Sequence, residues 1–368
     1  MRAVRRLSFP AHALVAVALG AVVASGGGAQ ESRPALQVTV RVIDTLNGSA
    51  VPFSVIAMPA LDLERFTGAA GTIVLPVPSA GRVRLIVRRI GFTPTDTTIT
   101  VTSAPSQAVT IALTHLSFQL NEVRVVDWPP CTRPGIPRRG GDPTMRAVVE
   151  QMRENADRFA LLARQYPFGY RAERTLGRTN ATGVDSVERV DTILVNGSPP
   201  WRYRPGTLVA ARPNAESRGG MLWTMHLPTL RDLGEQAFVD NHCFHVAGVE
   251  EKEGRPLLRL DIVAAARLGT SDVNAAVWLD PRDFQIRHAM FVLTRVRPEF
   301  IGLRSHSAQV EFGELIPFVP VMQMVLGESI VHDPSSGREF VLFERQRILV
   351  VEFRGARPEG LVDRPPPP

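Results

Sequence analysis

Apolar and polar positions alternate with a period of two through the first third of the chain. Val38, Val40 and Val42 are interleaved with Thr39, Arg41 and Ile43, and Asn47-Gly48 then supplies residues that tolerate a positive φ in a turn. Residues 51–58 predict the return strand, and 72–77 predict the next, after a loop marked by Pro59, Gly68 and Gly71. Val83, Leu85 and Val87 point one way, and Arg82, Arg84, Ile86 and Arg88 the other. The same period recurs over 95–102 and 108–113, with Val109, Ile111 and Leu113 inward. Short strands separated by turn signals at this spacing predict a β-sandwich over 36–126, one face of each sheet buried.

The period changes once. Asp142 followed by Pro143 is a helix start, since an aspartate caps the free N–H groups and proline suits the first helical position. Met145, Val148, Val149, Met152, Ala156, Phe159 and Ala163 recur at helical spacing to about residue 164, while Glu150, Arg153, Glu154, Asp157 and Arg158 fill the other faces. Beyond it the pattern predicts strands at 169–176, 184–195, 238–249, 256–263, 274–280, 285–294, 308–315, 320–331 and 339–353. Turns fall at 250–254, 281–284 and 332–337. The fold class is therefore mainly β: an amino-terminal sandwich, then a helix lying on a curved antiparallel sheet. The expected organisation is a leader over 1–29, the sandwich over 36–126, a Pro/Gly/Arg linker over 127–141, the helix-and-sheet domain over 142–356, and a disordered Pro-rich tail over 357–368.

The leader changes the charge picture. Arg2, Arg5 and Arg6 precede an apolar run over 11–24 and small residues through Ala29, the order of a secretory signal peptide. A membrane anchor is the alternative, but the run falls short of the ~20 residues a spanning helix needs. The expected site of action is the periplasm or the outer-membrane face, with no transmembrane segment in the mature chain. Removing the leader's three arginines lowers the formal charge from +6 to +3. Lys252 is the only lysine, and Arg133, Arg138 and Arg139 form the one local basic cluster, inside the linker. Nucleic acid needs a longer basic stripe or an aromatic platform, so it is excluded as a partner. Composition otherwise, 44% apolar and 21% charged over 368 residues, is that of a two-domain globular protein. Two cysteines in an exported chain, Cys131 and Cys243, are expected to form a disulfide; two buried thiols are the alternative.

Several segments resemble known families. Val40-Arg41-Val42-Ile43-Asp44 with Asn47-Gly48, then Val51-Pro52-Phe53, is similar to the opening of carboxypeptidase regulatory-like domains. Arg88-Arg89-Ile90-Gly91-Phe92 and Leu120-Asn121-Glu122-Val123-Arg124-Val125 resemble two later segments of that family. The resemblance covers about 36–126 and implies a transthyretin-like sandwich, also described as a carbohydrate-binding-like fold. The chain departs from the family at Ala69-Ala70-Gly71-Thr72, where a polar turn is usual. Such domains often begin TonB-dependent receptors, but a barrel of that kind needs several hundred residues more than remain. In the second domain, Val277-Trp278-Leu279-Asp280-Pro281 followed by Gln285-Ile286-Arg287 resembles a hairpin of periplasmic lipoprotein-carrier half-barrels.

Candidate chemistry is sparse. Asp240, His242, Cys243 and His245 form the one compact group of metal-type ligands, but on a strand His242 and His245 point to opposite faces unless a bulge intervenes. The helical His-Glu-x-x-His pattern, the nucleophile elbow and the phosphate and dinucleotide glycine loops are absent from the sequence. No cofactor and no catalytic role are expected. Residues 315–326 are apolar on both faces: a buried strand, or a greasy concavity in which Phe318, Val319, Val321, Met322, Met324 and Leu326 meet an acyl chain or partner. The sequence thus predicts an exported, non-catalytic envelope binding or assembly module whose partner is a protein, a glycan or a lipid. A hydrophobic-ligand carrier acting through the second domain is the alternative, and a metal-dependent hydrolase at His242 and His245 a distant one.

Overall fold

The computed structural model describes residues 36–116, 130–136, 142–179, 183, 185–197, 199–213, 221–297, 300, 302–333 and 336–362. The predicted leader, most of the linker with Arg138 and Arg139, the 120–125 segment and the last six residues of the tail lie outside them. The described part is mainly β.

Eight strands build the amino-terminal sandwich: β1 (Leu36–Asp44), β2 (Val55–Met58), β3 (Leu63–Phe66), β4 (Thr72–Val77), β5 (Gly81–Arg88), β6 (Phe92–Thr93), β7 (Thr95–Val101) and β8 (Ser106–His115). They form two four-stranded sheets, ordered β4-β1-β8-β6 and β3-β2-β5-β7. The inward positions of the period-two pattern meet between them. Val38, Val40, Val42, Leu75, Leu85, Val87, Ile111 and Leu113 are all buried in one cluster, each burial contributing about 1.5–3 kcal/mol.

The expected strand over 51–58 is half as long, and β3 was not anticipated. Phe53 takes φ 52°, a left-handed conformation that no strand admits. Ser54 ties the bend down: its hydroxyl donates to the Val51 carbonyl and its backbone N–H donates to Thr67 Oγ1.

The helix α1 (Pro143–Gln165) begins where Asp142 accepts from the N–H groups of Thr144 and Met145. It ends just before Pro167, whose predecessor is pushed out of the helical region. It lies on a nine-stranded antiparallel sheet made of β9 (Phe168–Thr179), β10 (Asp185–Asn196), β13 (His242–Lys252), β14 (Arg255–Ala264), β15 (Val273–Leu279), β16 (Ile286–Leu293), β17 (Leu303–Ile316), β18 (Val319–Asp333) and β19 (Arg338–Phe353). The sheet order is β10-β9-β19-β18-β17-β16-β15-β14-β13. A meander runs from β13 to β19; of the two strands that follow α1, β9 pairs onto β19 and β10 onto β9. The concave face carries Val246, Leu260, Val277, Ala289 and Val310 in register toward the helices.

Two short helices, α2 (Leu230–Gly234) and α3 (Gln236–Val239), and a hairpin of β11 (Val209–Pro213) and β12 (Met221–Met225) were not anticipated. The expected strand from 238 begins instead at His242. Phe238 and Val239 are fully buried on α3, and a short apolar run reads the same whether helix or strand buries it. α2 is held by a reciprocal capping box between Thr229 and Asp232.

The sandwich docks directly on α1. Phe53 and Ile90 belong to the main core cluster of the helix-and-sheet unit. Gly91 (φ 83°) brings its backbone against Asp283, where a Cβ would already be in contact, and its N–H donates to Gln151 Oε1 at 2.7 Å. Glu154 and Arg158, placed by the helical pattern on an outer face, are buried here because that face meets the sandwich. The expected tail starts at 357, and residues 357–362 cross this same junction: Gly360 lies against the Phe53 ring and Val362 N–H donates to the Leu315 carbonyl at 3.0 Å.

Candidate ligand cleft

Three phenylalanines with left-handed backbone, Phe53, Phe284 and Phe318, surround the buried polar row of α1. Arg158 is fully buried; its Nε donates to the Phe318 carbonyl and its Nη2 to the Phe53 carbonyl, each at 2.7 Å. Asn155 donates to the Phe284 carbonyl at 2.9 Å and accepts from Ile286 N–H at 3.0 Å. These turns bend so that their carbonyls aim at α1. Burial pulls the Arg158 guanidinium down to about 9 against the pull of Glu154, so it stays charged at neutral pH. Burial also pushes the Glu154 carboxyl up, against Arg88 and Arg158. Arg89 stacks over the Phe318 ring at 3.4 Å, and burial lowers it to about 10. With its hydrogen bonds directed at backbone carbonyls inside a closed junction, this cluster is architecture.

The sequence candidates fall in different places. Val319 and Val321 are sealed in the main core, Phe318 sits in the junction, and Met322 packs against the core edge. Val325 faces the core, so Met324 and Leu326 lie on the opposite, convex face of β18. The six residues do not line one concavity. His242 and His245 lie on opposite faces of β13, the first buried and the second exposed. His242 Nδ1 is 2.7 Å from the Phe238 carbonyl, and Nε2 is 3.2 Å from the Val273 carbonyl and 3.4 Å from Asp272 Oδ1. Asp272 also accepts from the Tyr203 hydroxyl at 2.6 Å, and burial together with that bond raises the tyrosine well above its ordinary range. Among the described residues no group of three His, Cys, Asp or Glu side chains is placed to hold a metal ion. Cys131 and Cys243 are joined in a disulfide, Cα to Cα 5.4 Å, tying residues near 131 to the sheet edge at β13.

A cleft of about 310 Å³ opens on the other side of α1, between its last turns, the segment after β10 and the start of α2. Phe159, Ala160 and Ala163 supply its apolar floor, and Arg164, Arg202 and Arg231 stand around it with Gly197, Pro199 and Thr229. Phe159 is firm because it packs edge-on against Phe168, which in turn touches Tyr170 and Phe353. The sequence pattern placed Phe159 and Ala163 on the apolar stripe but did not single out the three arginines. They come from three separated segments, and only the fold brings them together.

No family model matches the chain, and no curated protein matches it. Solved structures similar to it include a LolA superfamily protein from Nitrosomonas europaea (12% identity, 57% of this chain and 94% of that one, TM-score 0.29). A DUF1329 family protein from Desulfovibrio piger shares 13% identity over 56% of this chain and 93% of that one, TM-score 0.30. An outer-membrane lipoprotein-sorting protein domain from Vibrio parahaemolyticus shares 12% over 57% and 95%, TM-score 0.29. At scores this low the chemistry of the cleft follows from its own residues. No helix among the described residues is long and apolar enough to cross a membrane.

Proposed function

We propose that this protein is an exported cell-envelope binding module that holds a hydrophobic ligand, of the lipid class, in the cleft between α1, α2 and the end of β10. One observation carries the reading. The cleft pairs an apolar floor of Phe159, Ala160 and Ala163 with a volume of about 310 Å³, whereas the β18 segment, for which a greasy concavity was the alternative to a buried strand, is partly sealed in the core. Ligand sites begin at about 300 Å³ and combine an apolar lining with a few polar groups at the mouth. The leader over 1–29 delivers the chain to the envelope, and the sandwich, whose segments resemble carboxypeptidase regulatory-like domains, serves to lock α1 in position. Binding is the reading favoured over hydrolysis, because the buried His242 has its ring nitrogens turned toward protein oxygens.

The test is mass spectrometry of organic extracts from protein purified out of the envelope, beside Ala163→Trp, which fills the cleft from a half-buried position. Lipid is expected in stoichiometric amount with the parent and several-fold less with the variant, at unchanged melting temperature. Equal lipid in both, or none in either, contradicts the reading.

A further inference from the structure

We infer that the cleft selects an anionic amphiphile, its carboxylate or phosphate head seated on Arg202 and Arg231 and its apolar part on Phe159, Ala160 and Ala163; this rests on the hydrophobic-ligand reading above. The residues around the cleft include three guanidinium groups and no carboxylate. Three acids stand next to them, each already engaged: Asp232 accepts from Thr229 and from Tyr203 N–H. A single oxygen, Glu235 Oε1, serves both Arg231 Nε at 3.0 Å and Arg202 Nε at 3.6 Å. Glu64 takes Arg164 Nη2 at 2.8 Å but is shared with Arg88 at 3.0 Å.

The two guanidinium groups at Glu235 are also oriented. Arg202 Nη1 donates to the carbonyls of Pro199 and Trp201, which fixes the plane of its fork. Arg231 is held through Nε alone, so among the described residues its two terminal amino groups make no hydrogen bond. An arginine fork with free donors matches carboxylate and phosphate oxygens two at a time, and charge-assisted pairs of this kind are the strong ones. A neutral head would leave the terminal amino groups of Arg231 without an anionic acceptor beside an apolar floor. Arg158 differs in being fully buried, so that no ligand reaches it.

The experiment is calorimetric titration of the purified full-length protein with dodecanoate, dodecyl phosphate, dodecanol and inorganic phosphate. The two anionic amphiphiles are expected to bind about tenfold or more tighter than dodecanol, the size of one charge-assisted hydrogen-bond pair. Arg231→Gln, and separately Arg202→Gln, should remove most of that difference, leave dodecanol binding as it was, and melt at the parent temperature. Inorganic phosphate should give no saturable binding. Dodecanol binding as tightly as dodecanoate, or full dodecanoate affinity in both variants, overturns the head-group inference and leaves the hydrophobic-ligand reading standing. Inorganic phosphate binding as tightly as dodecyl phosphate makes this a free-anion site and overturns the amphiphile. No binding of any of the three chains overturns both.

Discussion

The two flanks of α1 place arginines in opposite circumstances. Toward the sandwich, Arg158 is fully buried and hydrogen-bonded to the carbonyls of Phe53 and Phe318. Toward the end of β10, Arg231 is half exposed and shares one carboxylate oxygen with Arg202. The sealed flank spends Nε and Nη2 of Arg158 on backbone carbonyls, leaving Nη1 3.9 Å from Glu154 and without a hydrogen bond, and so holds two units together. The open flank keeps donors that solvent and a ligand can reach. A buried charge is therefore poor evidence of a site unless a ligand can reach it from solvent.

The largest expected effect is on the sealed flank. Arg158→Met strips two carbonyls of their donor in a closed junction and leaves Glu154 with Arg88 alone, and should lower stability by about 3–5 kcal/mol, read by denaturant unfolding. A loss under about 1 kcal/mol, within the range of an exposed ion pair, would erase the distinction between the flanks.

A smaller effect comes from the sheet itself. His306 on β17 bonds through Nδ1 to Ser329 Oγ at 2.9 Å, and burial lowers it to about 4 from an ordinary 6.5. The folded state thus keeps the ring neutral where the unfolded chain protonates it. Its contribution is complete above pH 6.5 and is lost as pH falls toward 4, up to about 3 kcal/mol. Subtracting the pH–stability curve of His306→Gln isolates this slope from carboxyls such as Glu154 and Asp283, which burial pushes upward. A flat difference curve would show that the ring is solvated.

The smallest effect sharpens the contrast. Arg231→Gln should change stability by no more than about 0.5 kcal/mol, as for a surface position, since its one partner is shared. A loss comparable to that of Arg158→Met would make the open flank structural as well.

The alternation of Val38, Val40 and Val42, and of Val83, Leu85 and Val87, was enough to predict the sandwich strands, because period two has one buried face to fill. Asp142-Pro143 predicted the helix start for an equally local reason. The junction was hidden. Gln151, Asn155 and Arg158 recur at helical spacing, yet a polar row reads as a solvated face until its partner is known, and the partner is a turn about a hundred residues away. Phe238 and Val239 were misread because four apolar-rich residues carry no period. Residues 315–326 showed the converse problem: two apolar faces signalled burial on both sides of β18, and its Val319 end is core.

The most direct measurement is photo-crosslinking with a diazirine-bearing lipid, mapped by peptide mass spectrometry on the full chain. Adducts confined to residues 159–164, 197–202 and 229–231 are the predicted result. Adducts concentrated on residues 318–326, or spread over the convex face at Met324 and Leu326, would contradict a ligand held at the open flank of α1.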